Sequence, residues 1–320
     1  MKKYLITGFS GFVSFHFLNY LENLHTANSV LGVDINEPAF NINEYKYVTC
    51  SFNKINLLNK EQVDKIICDY QPDYILHLAS CSSVAYSWIN PVESFVNNTN
   101  IFLNLVEQIR VLGLKCRILS VGSSEEYGKV NPALLPLHED LSANPLSPYA
   151  VARVSQEMLS KVYCNGFGSD IILTRSFNHI GPHQSEVFVI SSFAKKLVAI
   201  KHGHLHNKQI TVGNINIVRD FVDVRDVVKA YDLLLHRGTK GEVYNICSGV
   251  GISIKQVLEQ MTAILNLKVE PVIDENLVRP ADNEIIIGSY DKIHKETGWE
   301  PGIKFNDSLA DVINYWVNKI

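Results

Sequence analysis

Apolar residues along this 320-residue chain alternate between two rhythms. Short unbroken runs at 3–7, 29–33, 74–78, 116–121, 170–173 and 243–246 read as buried strands. Between them, apolar residues recur at helical spacing over 12–24, about 91–111 and 224–235. Strands that are apolar on both faces need cover on both faces. The alternation therefore predicts an α/β fold, a doubly wound parallel sheet with helices on either side. Beyond Phe177 the alternation loosens. Short apolar runs at 210–212 and 268–272, with helical spacing near 254–265 and 305–317, predict a smaller C-terminal α/β lobe. The expected division is residues 1–176 plus about 215–250 in the sheet domain, and 177–214 plus 251–320 in the lobe. There is no internal repeat, low-complexity tract or flexible linker.

Between the first strand and the first helix lies Thr7-Gly8-Phe9-Ser10-Gly11-Phe12. Gly8 permits a tight turn, and Gly11 lets backbone N–H groups approach a pyrophosphate at the helix N-terminus. Glycines placed this way, with an acid closing the next strand, form a Rossmann dinucleotide signature. That acid, Asp34, can accept both hydroxyls of the adenosine ribose and would repel a 2′-phosphate. No Lys or Arg stands among the residues just after it, which favours NAD(H) over NADP(H). The third glycine position is Ser14, small enough for close helix–strand packing but less suited to it than glycine.

A second local pattern is Ser147-Pro148-Tyr149-Ala150-Val151-Ala152-Arg153. Ser147 can cap a helix and Pro148 suits its first position. Tyr149 and Arg153, four apart, then share one helix face and can point a phenol and a guanidinium into one site.

Composition removes some alternatives. An apolar content of 46% describes a globular protein, and a net charge of −4 gives no electrostatic reason to expect nucleic acid or an anionic membrane as partner. Cysteines at 50, 68, 81, 116, 164 and 247 are scattered, with no zinc-type spacing, and imply reduced thiols in a cytoplasmic protein. No metal site is signalled. Lys2-Lys3 is followed by too short an apolar stretch for an export signal, and no later run approaches a membrane span.

With Thr7-Gly8-x-x-Gly11-Phe12, His77-Leu78-Ala79, Val121-Gly122-Ser123-Ser124-Glu125-Glu126-Tyr127-Gly128 and Tyr149-x-x-x-Arg153 in this order, the chain resembles the extended short-chain dehydrogenases/reductases acting on nucleotide sugars. Within them it looks most like the GDP-4-keto-6-deoxy-D-mannose reductases. The likeness continues through Arg175–Pro182, Arg219–Asp226 and Arg279-Pro280-Ala281-Asp282 and covers essentially the whole chain. One departure stands out, because the family's pair is Tyr-x-x-x-Lys and here the lysine is Arg153.

The resemblance implies a hydride moving between nicotinamide and a sugar C4, with a proton moving on or off the attached oxygen. Tyr149 is the expected proton carrier. A free phenol, near pKa 10, holds its proton tightly, and a fixed cation nearby eases its release. Arg153 can supply that charge, although its planar fork reaches differently from a lysine. Ser123 is placed to bond the same sugar oxygen and stabilise charge on it. The cofactor is expected along Gly8, Phe9, Ser10, Gly11, Phe12 and Val13, then Asp34 and Ile35. Asn56 and Leu57 are expected beside the adenine, where the family often has aspartate at Asn56. Leu78, Ala79, Ser80, Val121, Tyr149, Arg153 and Ser176 complete the expected cofactor cleft.

For the substrate, a nucleoside diphosphate sugar with GDP favoured, the resemblance points to Ser123, Glu125, Asn178, His179, Val189, Arg219, Arg279 and Asp282. Arginine forks suit diphosphate oxygens. Each residue also has a plainer reading. Tyr149 could be a core tyrosine, Ser123 a cap, Arg153 a structural ion pair, and Arg219 or Arg279 a surface charge. His179 reads more readily as a hydrogen-bonded loop residue than as a base. Glu125 could line a sugar pocket or, as in related dehydratases, remove the C5 proton.

The leading expectation is an NAD(H)-dependent reductase of a GDP-4-keto-6-deoxy-hexose. The alternatives are a nucleotide-sugar 4,6-dehydratase or 4-epimerase with tightly bound NAD, or a catalytically weak binding protein. Serine at the first position of Ser-Ser-Glu-Glu favours the reductase, since the matching dehydratases usually carry threonine there. Helices around 96–111 and 150–163 are the pieces such enzymes commonly pack into a homodimer.

Overall fold

The structure, a computed structural model, describes residues 1–205, 207–277 and 283–320. The chain begins with β1 (Lys2–Thr7), α1 (Phe12–Asn23), β2 (Asn28–Asp34), β3 (Val48–Lys54), α2 (Lys60–Tyr70) and β4 (Tyr74–His77). It continues through α3 (Val84–Ile89), α4 (Pro91–Val111), β5 (Arg117–Ser123), α5 (Pro148–Phe167) and β6 (Asp170–Ser176). Then follow β7 (Asn178–Ile180), α6 (Val189–Lys201), β8 (Gln209–Val212), β9 (Val218–Asp223), α7 (Val224–Arg237) and β10 (Val243–Ile246). The last elements are β11 (Gly251–Ser253), α8 (Ile254–Leu265), β12 (Glu270–Ile273), β13 (Ile285–Ile286), α9 (Asp291–Thr297) and α10 (Phe305–Lys319).

Seven strands form one parallel sheet in the order β10-β6-β5-β4-β1-β2-β3. This is the doubly wound Rossmann architecture the alternation predicts. β6 and β10 are buried almost throughout, as strands covered on both faces must be. From β1 the chain winds outward through β2 and β3, then crosses back to β4 and winds the other way. The ends of β1 and β4 therefore part, and the crevice between them is where such sheets take ligands.

A second sheet has β9 at its centre, antiparallel to β11 and parallel to β7 and β13, while β8 and β12 pair separately. Phe193, Leu197, Val257, Met261, Leu309 and Trp316 pack α6, α8 and α10 into this lobe's own core. Of the stretch expected to rejoin the large sheet, β10 does so and α7 packs against α1, but β9 stands in the small sheet. The turn from β9 into α7 is capped by Asp223, whose carboxylate accepts the Arg225 N–H at 2.8 Å. Among the described residues no helix is long and apolar enough to cross a membrane.

Candidate active site

The β1–α1 turn is built so that backbone meets backbone. Gly8 has φ +69°, and a Cβ there would lie 2.7 Å from the Ala79 nitrogen, so only glycine lets the turn rest against the exit of β4. Ser14 at the third glycine position is fully buried, and its hydroxyl donates to the Gly8 carbonyl at 3.1 Å. The serine therefore ties the helix to the turn it follows. Thr7 joins the two strand ends, since its hydroxyl accepts the Ala79 N–H at 3.2 Å and pairs with His77 Nδ1 at 2.8 Å. Burial, and then the nearby Arg153 charge, pushes the His77 imidazole down to about 3, so it is neutral at physiological pH.

Asp34 closes β2. Its carboxylate accepts the Ser10 and Asn36 N–H groups, each at 3.0 Å. Asn56 is exposed and spends its amide oxygen on the Leu58 N–H at 2.9 Å. Phe9 does not join these residues. Its ring is fully buried against Phe40 and Phe52, its N–H bonds the Val33 carbonyl at 3.3 Å, and Gly32 leaves the space it fills.

Over these strand ends opens a cavity of about 1590 Å³. It gathers Gly8, Ser10, Gly11, Phe12 and Val13, with Asp34, Ile35, Asn56 and Leu57. Leu78, Ala79, Ser80, Val121, Ser123, Glu125, Tyr149, Arg153 and Ser176 line its middle. Asn178, His179, Val189 and Arg219 line it from the lobe side. Arg279 and Asp282 lie outside the described residues. Lys196 of α6 adds a cation to the wall, and no motif in the sequence pointed to it.

Tyr149 and Arg153 sit at the start of α5, where the Ser147 hydroxyl accepts the Ala150 N–H at 3.1 Å and Pro148 fills the first turn. Both are buried, at 5% and 4% exposure. Arg153 Nε donates to the Tyr149 hydroxyl at 3.2 Å, and Nη1 donates to the Val121 carbonyl at 3.2 Å. The cation thus touches the phenol oxygen directly. Ser123 ends β5, and its hydroxyl accepts the Glu125 N–H at 3.2 Å, which leaves its own proton to donate outward.

Behind Ser123 lies a buried charge cluster. The Ser123 N–H donates to Glu126 Oε1 at 2.6 Å, while Glu126 Oε2 is enclosed with no protein donor in reach and meets Glu157. Glu157 takes two Arg175 N–H bonds at 3.0 Å and Lys161 at 2.7 Å. Burial opposes ionisation of Glu157, but the Arg175 bonds outweigh it and hold the carboxyl down at about 2. Burial, and then the Glu157 charge, raises Glu126 well above the carboxylate range. The opposite directions of the two shifts are what a single proton held by the pair on the Glu126 side would give.

On the lobe side, His179 Nε2 pairs with the Tyr231 hydroxyl at 3.1 Å, and burial pushes the ring down to about 4. That is the environment of a neutral, hydrogen-bonded histidine, and it stands on the short strand β7 rather than in a loop. The Asn178 amide donates to the Asp220 carbonyl at 3.2 Å. Arg219 is buried, with Nη1 donating at 2.9 Å to the carbonyls of Val218 and Asn283. Among the described residues, no group of three His, Cys, Asp or Glu side chains could hold a metal ion.

Residues 5–312 match the family model of GDP-mannose 4,6 dehydratase. Over 319 residues the chain is 32% identical to GDP-6-deoxy-D-mannose reductase of Pseudomonas aeruginosa, covering 100% of this chain and 98% of that protein. Among solved structures, RMD from Pseudomonas aeruginosa complexed with NADPH aligns with a TM-score of 0.87 at 31% identity over 100% of both chains. The UDP-glucose 4-epimerase of Thermus thermophilus in complex with NAD aligns at 0.85 and 25% identity, covering 99% of this chain and 100% of that one.

Proposed function

The chain belongs to the GDP-mannose 4,6-dehydratase family of extended short-chain dehydrogenases/reductases, and from that premise we propose that it reduces the C4 keto group of a GDP-4-keto-6-deoxy-hexose. The observation that carries the chemistry is the 3.2 Å contact between Arg153 Nε and the Tyr149 hydroxyl, in the wall of the same cavity as the Ser123 hydroxyl. When bound, a nicotinamide cofactor supplies the hydride. Tyr149 gives the proton to the sugar oxygen, Arg153 stabilises the phenolate left behind, and Ser123 donates to that oxygen as charge develops. A fixed charge inside a buried site is effective because little solvent competes for it.

The residues present fit a dinucleotide. Gly8 keeps the β1–α1 turn tight against Ala79, the first residues of α1, Phe12 and Val13, line the cavity at a helix N-terminus suited to phosphate, and the Asp34 carboxylate in the same wall would meet ribose hydroxyls. We assign NADH rather than NADPH, because the cavity wall at Asp34, Ile35, Asn36, Glu37 and Ala39 presents two carboxylates and no cation to a 2′-phosphate. A kcat/KM for NADPH equal to or above that for NADH would reverse this assignment. The diphosphate side of the substrate is assigned to Arg219 and Asn178, with Lys196 as a further cation.

A division into a cofactor domain and a sugar-nucleotide lobe is part of this reading: it is supported by the separate core of α6, α8 and α10, while Ile293 of α9 and Trp299 pack with α1 and α7. Val92 and Phe95 of α4 and Val151, Met158 and Val162 of α5 are exposed apolar residues, which supports a homodimer through these helices. Six free thiols suit a reducing, cytoplasmic setting.

Anaerobic incubation with NADH and GDP-4-keto-6-deoxy-mannose, following nicotinamide absorbance and identifying the sugar, tests the reading. Stoichiometric NADH loss with a GDP-deoxyhexose product is expected. Unchanged sugar, with both ligands bound, would sink it. Glu125 in the cavity wall keeps dehydration as the second reading. Release of a 4-keto-6-deoxy product from GDP-mannose would favour that one.

A further inference from the structure

Gln156 is one turn along α5 from Arg153 and only 1% exposed. Its amide oxygen accepts Arg153 Nη1 at 2.8 Å, and its amide nitrogen donates to the Ser120 hydroxyl at 2.8 Å and towards the Val121 carbonyl at 3.4 Å. Only one orientation of the amide satisfies these neighbours. A guanidinium has no acceptor and a carbonyl has no donor, so Oε1 must face Arg153 and Nε2 must face β5. Ser160 completes the enclosure, its hydroxyl 3.3 Å from that of Ser120 and donating to the Gln156 carbonyl at 2.9 Å.

The consequence falls on the guanidinium. Its planar fork has three donor nitrogens in a rigid relation, so fixing Nη1 and the plane fixes where Nε points. Nη1 is held twice, by Val121 and by Gln156, and Nε then meets the Tyr149 oxygen. These bonds leave Nη2 to donate to a cofactor hydroxyl. A lysine ammonium at position 153 would be a single rotatable point and would not need an acceptor on this side.

We propose that Gln156 is the positioning residue that makes Arg153 serviceable, the two acting as one unit. The amide braces the guanidinium against the end of β5 so that its Nε stays on the proton-donating phenol. This rests on the reductase reading of the site.

The test is a double-mutant cycle of Gln156→Met, which fills the volume but offers no acceptor, with Arg153→Lys. Gln156→Ala serves as a second truncation, and melting temperatures identify any variant that fails to fold. In the Arg153 enzyme, Gln156→Met is expected to lower kcat by about tenfold or more with the sugar KM within about twofold, the scale of a lost hydrogen bond to a charged group. In the Arg153→Lys enzyme the same change is expected to cost less than about twofold, because no guanidinium remains to be braced. Equal losses in both backgrounds would show Gln156 to be merely structural and overturn the proposal, as would no loss in the Arg153 enzyme.

NADH dissociation constants for the same four proteins give an independent cycle, expected to show the same coupling through Nη2. If the wild-type protein binds NADH but leaves the keto sugar untouched, the reductase reading fails. The binding cycle then still decides the role of Gln156, and additive binding effects overturn it.

Discussion

Replacing Glu126 by Gln tests whether a buried carboxyl beside the site carries a proton. Glu126 is fully buried, takes the Ser123 N–H on Oε1, and faces a Glu157 already held ionised by Arg175. Glutamine keeps the acceptor for Ser123 and offers an N–H to Glu157, so it copies the protonated acid without its titration.

The sign follows from linkage. The folded-state value of Glu126 lies well above its ordinary 4.5, so the folded protein holds a proton that the unfolded chain releases as pH rises past that point. Its contribution to stability is complete below 4.5 and is lost as pH climbs towards the folded value. Each pH unit in that window costs one proton's worth of linkage, a factor of about ten in the folding equilibrium. Urea unfolding of both proteins at pH steps rising from about 5 reads this difference directly. The gap should widen steadily in favour of glutamine with rising pH. A gap that stays flat means Glu126 ionises in the folded protein as it does in the unfolded chain, and the shared proton is wrong.

Removing the phenol oxygen by Tyr149→Phe should cut the reduction rate at least about a hundredfold while NADH still binds, as fluorescence titration would show. A rate within about threefold of wild type would exclude Tyr149 as the proton donor. Gly8→Ala combines a positive φ with a clash against Ala79 backbone, neither of which a side chain can relieve. It should destabilise the protein by about 2 kcal/mol or more and weaken NADH binding, and an unchanged melting temperature with normal affinity would contradict the geometry of this turn.

What could be read from the sequence was what short-range geometry dictates. The strand–turn–helix around Gly8, the cap at Ser147 and the i, i+4 placement of Tyr149 and Arg153 depend on neighbours within a few residues. They stand in the structure as their spacing implies. The alternating rhythm also sufficed for the parallel sheet, since strands apolar on both faces leave few other ways to be buried. Where the Phe9 ring goes was not legible, because only Gly32, on the neighbouring strand, makes room for it.

Tertiary structure decided the partners. β9 is as buried as the strands of the large sheet although half its residues are charged, and only pairing with β7, β11 and β13 places it in the lobe. The register of β5 on β6 sets Gly122 opposite Arg175, and a Cβ at Gly122 would strike the Glu126 carboxyl at 2.3 Å. Arg175 reaches Glu157 across 18 residues and Gln156 reaches Ser120 across 36, so neither the shared proton nor the braced guanidinium leaves a mark in local spacing. The chain alone determined which residues could do chemistry. The packing of β5, β6 and α5 determined which of them are desolvated together, and desolvation is what gives a charge, a proton or an amide its effect here.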